Sequence, residues 1–520
     1  MHQRRHQVAK RLRFYSALTG AGVLAYLGYY LTRVCKTPTL VYRSGALSHI
    51  VRENCSNLIR AYYPPLWAFN THLQTALGVL RGAAINAGWV RQLIQTPDGG
   101  QIAVDWWQGE TSDNVPPDTP IMLVFHGVTG GSFEGTCKAV CKAAAGRGYR
   151  PGVLIFRGCS GLDLLTDQIY SACFTDDAHH AVKTLNMQFP DAKLTVVGFS
   201  LGSLILTKYL GEADSGDWQT DGGGITAAVA ISSPFCLHTA GRRLGRPWTI
   251  SWLYNLIIAY RLKMYGQTHM AVLKDTKRLE GLQAKNKFWT IGQFDERIMC
   301  RMMGYSSAKE YYEASSSLPQ IPKIRTPILF LASEDDVFLG ELPIRQCSSN
   351  PYTLLAITSR GGHVAFLTGI WPFGEAWMDL VAMDFLQAVL NHPERIDQIR
   401  TEVSSVRPGP SAAKGRALMS RTSGRRSVDQ ALNMAAAALD RHSSMGNMGM
   451  ASDPGSLEDL VGRAASLMSG AGRASPEPVA RRGSRADAGR NLMGDMGRAA
   501  SFQTALEALK RHDGPQSPEM

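Results

Sequence analysis

The run Gly198-Phe199-Ser200-Leu201-Gly202 sets a serine between two glycines, directly after the apolar stretch LTVVGFS (194–200) and before a helix-forming one. A strand that turns sharply into a helix lifts the hydroxyl of such a serine above the sheet, and the glycines admit the crowded backbone this requires. The N-terminus of the following helix favours negative charge developing nearby. A serine hydroxyl attacks a carbonyl carbon only when a base takes its proton. The pattern therefore predicts a histidine held by a carboxylate, in the chain order serine, acid, histidine. Glu334-Asp335-Asp336 follows the apolar run PILFLAS (327–333), and His363 follows LLAITS (354–359) in the loop Arg360-Gly361-Gly362-His363. Asp335 and Asp336 compete for the acid. Asp336 is preferred because Val337 after it suits a short apolar turn.

The tetrahedral intermediate of acyl transfer needs two backbone donors for its oxyanion. The N–H of Leu201, next to the nucleophile, is one; the N–H of Val128, in the glycine-rich segment HGVTGGS (126–132), is the other. His126 reads as structural, and His179 and His180, on an expected helix, read as surface or packing residues. This chemistry requires neither a metal nor an organic cofactor. Cys137 and Cys141 share one helix face, but no CxxC or histidine pair accompanies them, so buried packing is the better reading. The nine cysteines are scattered singly and form no disulfide framework.

The elements that must position these residues read as an α/β protein. Strands are expected at 101–107, 121–127, 152–156, 194–200, 227–233, 327–333 and 354–359. Helices are expected near 133–147, 175–188, from 201, and 374–391, and continuous apolar strands alternating with helices indicate a mostly parallel sheet covered on both faces. The interval between the strands at 227–233 and 327–333 is too long for an ordinary connection. It contains the apolar helical run WLYNLIIAYRLKMY (252–265), and reads as a helical cap, about 238–320, over the C-terminal ends of the strands. The catalytic domain then spans 96–396, preceded by a membrane-proximal lead-in at 37–95.

Charge and hydropathy set the ends apart. Nine of the twelve excess positive charges lie in residues 1–13 and 401–520. The middle is close to neutral, which argues against a nucleic-acid groove. Residues 14–31 carry no charge and follow a basic stub, so 1–36 reads as an uncleaved transmembrane signal-anchor of a single-pass protein. An endomembrane such as the endoplasmic reticulum fits. The excess of positive residues before the anchor favours a cytosolic N-terminus. Residues 397–520 are rich in Ser, Arg, Gly, Ala and Met, with Phe502 the only aromatic, and read as a disordered tail. Arg425-Arg426-Ser427 and Arg481-Arg482-Gly483-Ser484 resemble sites for basic-directed kinases, which would place the tail in the cytosol, against that orientation.

HGVTGG, Arg157-Gly158-Cys159, GFSLG, KYLGE (208–212), FDE (294–296), YY (311–312) and GGHVAFL (361–367) occur together and in order. In these motifs the chain resembles the YheT-like branch of the α/β-hydrolases, AB hydrolase family four, over roughly residues 60–390. The resemblance implies an α/β-hydrolase fold, the triad Ser200, Asp336 and His363, a single N-terminal anchor, and activity on acyl esters of lipids. Val337 departs from the proline that many members carry after the acid, and the tail has no counterpart in the family. A lipase, phospholipase or carboxylesterase is the expected activity. Acyl transfer to an alcohol, and a non-catalytic scaffold regulated through the tail, are the alternatives.

Overall fold

The computed structural model describes residues 2–405 apart from 110–114, 217–223, 275, 280–287 and 372. The kinase-like motifs of the tail lie outside them. Among the described residues nine strands form one sheet: β1 (Thr39–Tyr42), β2 (Trp89–Gln95), β3 (Gln101–Trp107), β4 (Ile121–Phe125), β5 (Arg150–Ile155), β6 (Leu194–Phe199), β7 (Ala227–Ile231), β8 (Ile328–Ser333) and β9 (Thr353–Thr358). Their spatial order is β1-β9-β8-β7-β6-β4-β5-β3-β2. From β5 through β4, β6, β7 and β8 to β9 neighbouring strands run parallel. The pairs β1–β9, β3–β5 and β2–β3 are antiparallel. The parallel strands explain their own composition: every residue of β4, β6, β7, β8 and β9 is buried, so both faces must be apolar.

The segment 37–95 is more than a lead-in, because both edges of the sheet, β1 and β2, come from it. It also supplies the helix Thr71–Leu80, which Asn70 caps by accepting from the amides of His72 and Leu73. Arg81 ends that helix in a buried ion pair with Asp379 of the helix Trp377–Asn391. A one-residue change at either partner would strand a buried charge. Residues 393–405 continue as a helix, so the start of the segment expected to lack structure is ordered.

Residues 14–31, expected as a transmembrane anchor, fall mainly in the helix His2–Tyr29, which passes into a π-turn at Tyr30–Val34. Yet among the described residues no helix is long and apolar enough to cross a membrane. The stretch is uncharged, but Gly20, Gly22, Gly28 and four tyrosines between Tyr15 and Tyr30 dilute its hydropathy.

Between β7 and β8 the chain leaves the sheet for the helices Leu237–Leu244, Ile250–Thr268 and Ala308–Ser315, with shorter turns between them. The interval expected as a cap, about 238–320, supplies these helices. The buried face of Ile250–Thr268 includes Tyr254, Ile257, Leu262 and Tyr265.

Candidate active site

Ser200 sits where β6 passes into the helix Leu201–Asp214, with φ +51° and ψ −117°. A non-glycine residue rarely holds that conformation unless its surroundings enforce it. They do so through the neighbouring glycines. A Cβ on Gly202 would fall against the carbonyl oxygens of Phe125 and His126 at the end of β4. One on Gly198 would approach Ser203 Cα to 2.7 Å. The elbow is thus as tight as two glycines allow.

The three residues expected from the sequence come together. His363 Nε2 lies 2.9 Å from Ser200 Oγ, and His363 Nδ1 lies 2.8 Å from Asp336 Oδ2. Asp336 is buried, and its Oδ1 accepts the amide of Phe338 at 2.8 Å. The Phe338 ring stacks on the imidazole, with centroids 4.1 Å apart. A carboxylate on Nδ1–H leaves Nε2 as the free base facing the hydroxyl.

Asp335 does something else. Its Oδ1 accepts from the amide of Gly362 at 3.1 Å and from the Ser333 hydroxyl, tying β8 to the histidine loop. Burial pushes its carboxyl up to about 6. The histidine loop itself is strained at Val364 and Phe366, which have positive φ, whereas Gly362 adopts positive φ freely. Two hydroxyls hold it on either side of His363. Thr75 Oγ1 accepts the His363 amide at 2.9 Å, and Ser232 Oγ accepts the Val364 amide at 3.1 Å. No motif pointed to Thr75 or Ser232, since a hydroxyl that props a backbone has no spacing signature.

The loop after β4 passes close to the serine: a Cβ on Gly127 would stand 3.6 Å from Ser200 Cβ. His126 is fully buried, and burial pushes its imidazole down to about 4, so it is neutral near pH 7. Its Nδ1 lies 2.7 Å from Gly127 O, and its Nε2 takes the Phe156 amide at 3.4 Å. The carbonyl of Gly127 also accepts from Gly130 N at 3.2 Å. In a planar trans peptide, a carbonyl held toward His126 turns the N–H of Val128 to the opposite side. His126 is therefore structural, and what it fixes is the peptide carrying the expected oxyanion donor. His179 packs near Tyr209, and His180 bonds Gln95 O, in keeping with packing roles. Cys137 and Cys141 are buried in the helix Gly135–Ala145.

Ser200, Leu201 and Val128 line one cavity of about 520 Å³ beneath the cap. Its walls include Leu237, Ile258, Leu262, Phe294, Met299 and Phe338, and exposed His238, Arg242 and Lys309 stand along it. One wall residue is of a different kind. Asp295 is buried in the cavity lining, and burial pushes its carboxyl up to about 7. The FDE motif contained it without assigning it work.

Residues 120–369 match the family described as the alpha/beta hydrolase fold. The chain is 31% identical over 399 residues to Phospholipase ABHD3 of Homo sapiens, covering 74% of this chain and 94% of that protein. It is 32% identical over 338 residues to the Monoacylglycerol lipase of Saccharomyces cerevisiae, covering 57% of this chain and 74% of that one. It is 29% identical over 332 residues to the Putative esterase YheT of Escherichia coli, covering 64% and 94% respectively. The chain belongs to the AB hydrolase superfamily, in its YheT-like group, as a serine ester hydrolase.

Proposed function

We propose that this chain hydrolyses carboxylic esters of lipids, with Ser200 as nucleophile, His363 as general base and then acid, and Asp336 as its orienting carboxylate. The observation that carries the reading is the hydrogen-bonded series from Ser200 Oγ to His363 Nε2 at 2.9 Å and from His363 Nδ1 to Asp336 Oδ2 at 2.8 Å. As Ser200 Oγ bonds to the ester carbon, its proton passes to His363 Nε2. The carbonyl oxygen becomes an oxyanion received by the amides of Leu201 and Val128. Collapse expels the alcohol, which takes the proton from His363. Water then attacks the acyl-enzyme by the same route and releases the carboxylic acid.

Lipid esters suit the site on three counts. The cavity is walled mainly by apolar side chains, a basic set of His238, Arg242 and Lys309 stands along it, and the named relatives include a phospholipase and a monoacylglycerol lipase. The N-terminal helix exposes Phe14, Leu18, Val23 and Leu24. It joins the body beside Trp67, Ile370, Trp371 and Phe373, which are also exposed: Tyr26 donates to Leu66 O at 2.7 Å and Trp67 to Ile370 O at 2.8 Å. Such a continuous apolar surface supports attachment to a lipid bilayer. A fluorophosphonate probe should label the protein at Ser200 and abolish turnover of medium-chain esters. Label found on another residue, or full turnover by Ser200→Ala, would refute the assignment.

A further inference from the structure

The cap places a buried carboxyl in a cavity that is otherwise mainly apolar. Asp295 opens the π-helical turn Asp295–Met299, and such turns displace a side chain from the register of the surrounding helix. It is 7% exposed and lines the same cavity as Ser200. Among the described residues its side chain takes one hydrogen bond, from the Tyr312 hydroxyl to Oδ2 at 2.7 Å. No cation pairs with it there. Asn255, also buried in this wall, has both its polar atoms engaged by backbone: it donates to Leu244 O at 3.1 Å and accepts the Ile291 amide at 2.7 Å. Asp295 has acceptor capacity left over and the cavity beside it. The pressure of burial on its carboxyl, which pushes it up to about 7, is the cost of keeping it in that wall.

We propose that Asp295, backed by Tyr312, is a specificity-determining residue that accepts a hydrogen bond from a hydroxyl group on the buried part of the ester. A polar wall group of this kind discriminates sharply: a hydroxylated substrate satisfies it, while a plain hydrocarbon in the same place leaves it unpaired. The inference rests on the ester-hydrolase reading and adds the chemical feature that the cavity selects. The hydroxyl can belong to the alcohol, as in a partially acylated glycerol, or to the acyl chain.

The test uses the full chain and three esters of one chain length: glycerol monooctanoate, ethyl octanoate and ethyl ω-hydroxyoctanoate. Wild type should favour at least one hydroxylated ester over ethyl octanoate by about 10- to 100-fold in kcat/KM. The ester favoured tells whether the alcohol or the acyl side reaches Asp295. Asp295→Leu should remove that preference while leaving ethyl octanoate turnover equal or higher, and Asp295→Asn, which keeps an acceptor, should retain most of it. Tyr312→Phe should fall between. Equal losses on all esters in variants whose thermal midpoints match wild type would make Asp295 a structural residue and overturn the inference. So would a wild type without preference. Failure of wild type to turn over any ester, with Ser200 unlabelled by fluorophosphonate, would overturn the hydrolase reading as well and separates the two failures.

Discussion

Both oxygens of Asp336 are occupied in orienting the base, one by His363 Nδ1 and the other by the Phe338 amide. Both charge and geometry therefore matter there, and Asp336→Asn, which favours the wrong imidazole tautomer, should lower kcat by roughly 10³- to 10⁴-fold. Asp335 differs because its bonds go to Gly362 and Ser333. An asparagine carbonyl can accept the same pair, so Asp335→Asn should keep activity within about tenfold. Its effect on stability depends on pH. With a folded value raised to about 6, the folded state holds this proton more tightly than the unfolded chain does. The ionised carboxylate thus lowers stability as pH rises from about 4 through about 6, and the loss is complete above that. Relative to wild type, Asp335→Asn should gain on the order of 2 kcal/mol at pH 8 and nothing near pH 4, read from urea unfolding at both values. An equal difference at the two pH values would show that the carboxyl does not carry the effect.

At the scale of elements, the turn from β6 into the helix Leu201–Asp214 is set by what its glycines touch. Gly202 lies against the carbonyls that end β4, so even one added methyl must push the helix away from the sheet. That displacement moves the Leu201 amide as well as the serine. Gly202→Ala should cost about 2 kcal/mol or more and, on the proposed mechanism, lower kcat with little change in KM, because the proposed oxyanion contact exists only after attack. The histidine loop is propped from two other elements: Thr75 in the helix Thr71–Leu80 and Ser232 at the end of β7. Its positive-φ residues Val364 and Phe366 are strained backbone held in place by neighbours that are themselves fixed, Thr71–Leu80 by the buried Arg81–Asp379 pair.

For the whole molecule, the cap helices line the cavity beside Ser200 and the N-terminal helix leaves the body beside an exposed aromatic loop. Tyr30 and Val34 are buried, Tyr30 donates to Pro64 O at 2.5 Å and Tyr26 to Leu66 O, so the chain is docked from about Tyr26 onward. Removing residues 1–25 should therefore leave the catalytic body folded and active on soluble esters. It should also abolish or sharply reduce flotation with liposomes. Undiminished flotation of the shortened chain would assign the bilayer contact to another surface, the loop of Trp67 and Trp371 being the first to examine.

By itself the sequence determined the reactions a serine in this setting can perform and where along the chain the sheet's central strands lie. The elbow and the glycine loops leave a short motif, because steric crowding permits only glycine at positions such as 202, and strands buried on both faces must be apolar throughout. The edge strands were not legible: β1 has only four residues and β2 is mostly exposed or half-buried, so neither carries an apolar run long enough to stand out, and 37–95 read as a lead-in. An uncharged stretch at 14–31 likewise read as a membrane span, although its glycines and tyrosines make the helix less apolar than a span requires. The sequence favoured Asp336 over Asp335, but only the tertiary structure gave each its task, sending one carboxylate to His363 and the other to Gly362. The same holds for Thr75, Ser232 and Asp295. Their partners lie far along the chain or across a cavity, and contacts made by folding have no period to read.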